Sequence, residues 1–179
     1  MILLVEKEVA SLEKYHQELL DEIDTLTEEQ LIFKPDANSW SIIEVLEHMY
    51  LTEKGTFLYI KKQTKRADEL KKAGLKSKFN SFVLNRALAS THKYKVPVKQ
   101  ALPTAELNLE ELKEKWDSLR ELGKKALDMI DVNLANKLIF KHPVAGMLNI
   151  IQTLRFLEAH FNHHLKQIAR IKKHPDFPQ

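Results

Sequence analysis

The sequence contains no cysteine. That excludes a disulfide-stapled scaffold, a thiolate zinc site and a cysteine nucleophile, and it confines any metal site to histidine and carboxylate ligands. Glycine and proline are scarce, at 4 and 6 in 179 residues, so little interrupts a continuous helix. No run approaches the ~20 apolar residues that span a bilayer. Ile2, Leu3, Leu4 and Val5 lack the basic start and the length of a signal peptide. The expectation is a soluble cytoplasmic protein with no membrane partner. An excess of one charge is also missing, with 28 Lys and Arg against 25 Asp and Glu. That near-balance hides an asymmetry. Residues 61–99 hold 12 of the bases and two acids, Asp68 and Glu69, so a segment of +10 sits in a chain of total +3 and the remainder carries −7.

What is present is helical periodicity. A chain of this length suits a single domain over residues 1–179, burying roughly 70% of its unfolded surface without a staple. Four long segments show the alternating three- and four-residue spacing of a helix seam. The first runs from Val5 to Leu26 and the second from Ile42 to Ile60; the third runs from Leu109 to Ile130 and the fourth from Met147 to Ile171. Four such helices in one chain predict an all-α four-helix bundle. Ser41 with Glu44, Thr27 with Gln30 and Asn108 with Glu111 have the spacing of capping boxes, and Trp40 with Val45 that of a hydrophobic staple. Pro143 and Gly146 predict a loop before the fourth helix. Gly123, on the third seam, predicts the close approach of another backbone. Some 40 residues separate the second and third helices, which suits a crossover joining two parallel helices. Within this basic crossover, about residues 61–107, Phe79, Phe82, Val83 and Leu88 suggest one short helix packed on the outside.

Polar residues interrupt the seams at His16, Glu53, Thr56 and His164. Burying an unpaired polar group costs on the order of 1–3 kcal/mol, so several at similar depth predict a polar cavity. His160 and His164 are four residues apart and stack on one side of their helix, a spacing at which two imidazoles can grip one ion. His163 is turned ~100° from His164 and is expected in solvent. His48 on the second helix lies at a matching depth if the second and fourth helices are antiparallel. Three neutral imidazoles with an open position make the arrangement of a catalytic metal site. Glu53 is rotated ~140° from His48 and is a poor ligand, though it could serve as an outer acceptor or a partner for His16. Trp40 reads as the staple, Trp116 as core, and His142 as a loop histidine or a pocket residue; His92 and His174 receive no role.

The chain resembles the DinB/YfiT-like superfamily of metal-dependent enzymes. The resemblance rests on Asn38-Ser39-Trp40-Ser41-Ile42-Ile43-Glu44-Val45-Leu46-Glu47-His48. It rests equally on His142-Pro143-Val144-Ala145-Gly146-Met147-Leu148 leading into Phe156-Leu157-Glu158-Ala159-His160, His164 and Gln167-Ile168. It implies a bundle with a crossover and a divalent metal, nickel or zinc, on His48, His160 and His164. It further implies a small-molecule substrate, with some relatives transferring low-molecular-weight thiols or isomerising their adducts. The long basic crossover has no recognised counterpart.

A charge run is most simply a solvated face. The crossover has ten lysines to two arginines and few aromatics, which disfavours specific nucleic-acid recognition. Two readings follow: a metal-dependent thiol transferase or hydrolase, or a non-catalytic metal-binding or interaction protein that uses the basic crossover. A homodimer through outer faces near Leu51 and Leu58 is compatible with either.

Overall fold

The computed structural model describes residues 2–90, 96–104 and 106–179. The four seams form α1 (Leu3–Ile23), α3 (Ile42–Thr64), α5 (Leu109–Asp128) and α7 (Ile150–Lys172). Three smaller helices join them: α2 (Glu28–Ile32), α4 (Leu75–Ala89) and α6 (Val132–Ala135). The expected capping boxes are all formed, at Thr27/Gln30, Ser41/Glu44 and Asn108/Glu111. A fourth, Asn149/Gln152, opens α7.

Cross-helix pairs give the directions of the bundle. Glu53 meets Trp116 and Arg120, Phe57 meets Gly123, and Thr64 meets Met129, so α3 and α5 run parallel. Glu8 pairs with Arg155 and Glu22 with Lys172, so α1 and α7 are also parallel. Leu12 meets Arg120, His16 meets Trp116 and Asp24 meets Lys113, which sets the first pair against the second. The crossover connection therefore has the expected consequence, and α3 is antiparallel to α7. Trp116, Phe161, Leu12, Leu19 and Leu46 fill the centre of the core.

Three expectations need correction. Beside Gly123 lies a side chain and not a backbone: an added Cβ would come within 2.7 Å of the Phe57 ring. The loop ahead of α7 is a hairpin, β1 (Phe140–His142) with β2 (Gly146–Leu148), whose turn closes at Gly146 with φ +74°. Only glycine takes that left-handed conformation without strain. Finally, α4 forms but faces the other way. It turns Ser77 and Ser81 toward the bundle and leaves Phe79 and Phe82 about two-thirds exposed. Its inner side is held by polar contacts to the hairpin and α7: Asn80 to the Ala145 carbonyl, Gln152 to Ser77, and His163 to the Leu88 carbonyl.

Candidate metal centre

Two helices bring the histidines together. His160 and His164 share a face of α7 one turn apart, and the antiparallel α3 delivers His48 to the same depth. His48 Nε2 and His164 Nε2 each lie 3.1 Å from His160 Nε2. All three side chains are buried, and their ligand-capable nitrogens lie within 4.8 Å of one another.

The ring orientations are fixed from behind. His48 Nδ1 donates to the Ala101 carbonyl at 2.6 Å, and His164 Nδ1 donates to Gln167 Oε1 at 2.9 Å. A carbonyl oxygen can only accept, so each Nδ1 carries the proton and each Nε2 presents a lone pair. Burial holds the group neutral: it pushes His164 down to about 3 and His160 well below its ordinary value, and it lowers His48 despite the Ala101 bond. Two lone pairs thus converge on one His160 Nε2, where a single proton can satisfy only one of them. A cation satisfies all three. The donor set, the tautomers and the outer hydrogen bonds together fit a divalent metal ion.

The imidazoles border a cavity of about 1110 Å³. Trp40 packs against His48 with ring centroids 5.0 Å apart and the rings tilted by 47°, and it forms part of the wall, so it does more than staple a helix. The crossover supplies an apolar wall through Leu84, Leu88, Val96 and Leu102. Its described lysines and arginines line none of the cavity; the cations there are Lys141 from β1 and Arg170 from α7. His142 also lines the cavity. Its Nδ1 accepts from the amides of Val144 and Ala145 at 3.2 and 3.0 Å, so Nε2 holds the proton, and burial pushes the group down to about 4. Both expectations for this residue meet in it, since it bonds backbone and faces the cavity.

The remaining sequence-picked residues divide between the cavity, which His163 also lines, and the core. His163 is buried against α4 and not in solvent, because the crossover helix covers that side of α7. Glu53 is fully buried and accepts from Trp116 Nε1 and from Arg120 at 2.9 Å, with no bond to His16. His16 instead lies against the Trp116 ring at 4.8 Å, its Nε2 unpartnered. The polar seam residues therefore separate: Thr56 and His164 line the cavity, while His16 and Glu53 are buried around Trp116 and Arg120 of α5. His174 lines the cavity and contacts Phe33, whereas His92 lies outside the described residues. Ala101 is the member that sequence reasoning missed; its carbonyl acts through a non-local turn and its side chain carries no signal. Next to it, Thr104 donates through backbone and hydroxyl to Glu47, so consecutive residues of α3 hold the end of the crossover.

The fold and the site define a four-helix bundle with a buried trio of histidines able to hold a metal ion. Residues 11–168 match the DinB superfamily, and the chain belongs to it. Among solved structures it is similar to TT2238, a four-helix bundle protein, with 21% identity and a TM-score of 0.60. That match covers 93% of this chain and 98% of the other. No curated protein matches significantly.

Proposed function

We propose that the protein is a metal-dependent enzyme acting on a small molecule as a thiol transferase or hydrolase, with His48, His160 and His164 holding a nickel or zinc ion. The observation that carries this reading is the convergence of three Nε2 atoms, two with tautomers fixed by outer acceptors, at the wall of a large cavity. A divalent ion there supplies Lewis acidity, which lowers the pKa of water or of a thiol enough to form the nucleophile at neutral pH. The chain's own residues supply the rest. Ala101 and Gln167 hold two imidazoles in register. His142, neutral and protonated on Nε2, offers a hydrogen-bond donor to a substrate in the cavity. Arg170 and Lys141 offer the positive charge for an anionic group, while Trp40, Leu84 and Val98 exclude water from its apolar part. The absence of cysteine fits a thiol that arrives as substrate.

A substrate screen tests this. Protein purified without a histidine tag and loaded with nickel or zinc is offered low-molecular-weight thiols with apolar electrophiles, and separately ester and amide substrates. The expected result is turnover that chelation or His160→Ala abolishes. Turnover that survives both, or none in either set, contradicts the proposal.

A further inference from the structure

The outer face of α4 is apolar and basic in a pattern that its packing on the bundle does not use. At about 100° per residue, Leu75, Phe79, Phe82 and Val83 fall within one arc of roughly 100°, with Lys76 on one side and Lys78 on the other. Leu75 is 84% exposed, Phe79 67%, Phe82 66% and Val83 47%. Arg86 continues the stripe toward the C-terminal end, and Lys71 and Lys72 precede the helix. These bases are exposed, and none has an ion-pair partner among the described residues. No aspartate or glutamate occurs from Leu70 to Ala105. The opposite face, with Ser77, Ser81, Leu84 and Leu88, is committed to α7 and the cavity wall.

We infer that the outer face of α4 is a docking surface for an anionic lipid bilayer, which the helix meets lying flat. The charge argues for the occupant. A helix with phenylalanine and leucine along one line and lysines at both margins buries the ring line among acyl chains while the ammonium groups reach the headgroups. A second copy seated on the same face by two-fold symmetry would set Lys76, Lys78 and Arg86 against their own equivalents, which opposes the contact. A partner helix would need a groove, and the stripe borders neither of the cavities lined by Trp40 and His48 or by Glu8 and Arg155. A bilayer needs only a convex stripe. That no helix among the described residues is long and apolar enough to cross a membrane is no obstacle, because an interfacial helix does not span. This inference does not depend on the metal site.

Sedimentation of the full chain with sucrose-loaded vesicles tests it. Vesicles of equal parts phosphatidylglycerol and phosphatidylcholine should bind the protein at low salt, and pure phosphatidylcholine should not. High salt should weaken the binding. Phe79→Ser with Phe82→Ser should reduce partitioning at least about tenfold while leaving helix content and melting temperature at or above wild type, since both rings are exposed. Lys76→Glu with Lys78→Glu should abolish binding through charge alone. No binding to the anionic vesicles, or binding unchanged in the phenylalanine variant, overturns the inference. So does a concentration-dependent dimer that the phenylalanine variant dissolves, because a second copy would then cover the face.

Discussion

Three of the histidines at the cavity are set by what their other nitrogen touches. Ala101 and Gln167 fix two lone pairs, the amides of Val144 and Ala145 fix one proton, and His16 Nε2 is buried with no partner. Replacing the Gln167 side chain removes an acceptor without touching a nitrogen that faces the site. Gln167→Leu should weaken metal affinity about 10- to 100-fold with the fold intact, measured by competition against a chromogenic chelator. His16 makes a different prediction. Burial, with a smaller contribution from Arg120, lowers it from 6.5 to about 3, so between those values the unfolded chain binds a proton that the folded chain does not. Stability from this residue is complete above pH 6.5 and is lost as the pH falls toward 3. The slope is about 1.4 kcal/mol per pH unit. Urea unfolding from pH 6 to 4 should show His16→Leu with a shallower decline by that amount. The histidine spacing on α7 was legible in the sequence because i and i+4 share a helix face. The burial of His163 was not, since it depends on a crossover helix that covers the face from outside.

At the scale of elements, periodicity and capping boxes identified α1, α2, α3, α5 and α7, because those signals are local. The hairpin escaped because three-residue strands have no period to read, and Gly146 marks a turn without saying what it joins. The orientation of α4 escaped for a related reason. Phenylalanines at helical spacing read as a buried face, whereas here the serines are the side that meets α7. Two substitutions test the packing account. Gly123→Ala drives a methyl into the buried Phe57 ring, and the strain should exceed the gain of about 1 kcal/mol in helix propensity. A net loss of about 1–2 kcal/mol by denaturant unfolding is expected. Asn149→Ala removes the cap of the helix that carries two of the three site histidines and should cost about 1 kcal/mol in the same measurement.

Over the whole molecule, charge and site are divided between two sides of one crossover. Its described lysines are exposed while Leu84, Leu88, Val96, Val98 and Leu102 wall the cavity, and Ala101 and Thr104 tie back to His48 and Glu47. The antiparallel arrangement of α3 and α7 is what brings His48 to the other two histidines, and it follows from the parallel packing that the crossover permits. The three histidines so assembled could bind a metal ion. Elemental analysis of untagged protein, paired with a thermal melt on adding nickel or zinc after chelation, tests it most directly. About one divalent ion per chain is expected, lost in His160→Ala and in His48→Ala. So is a melting temperature raised by about 5–10 °C when metal stands at a hundredfold excess over its dissociation constant. A fully folded protein that carries no metal and melts at the same temperature with and without added nickel or zinc would contradict both expectations.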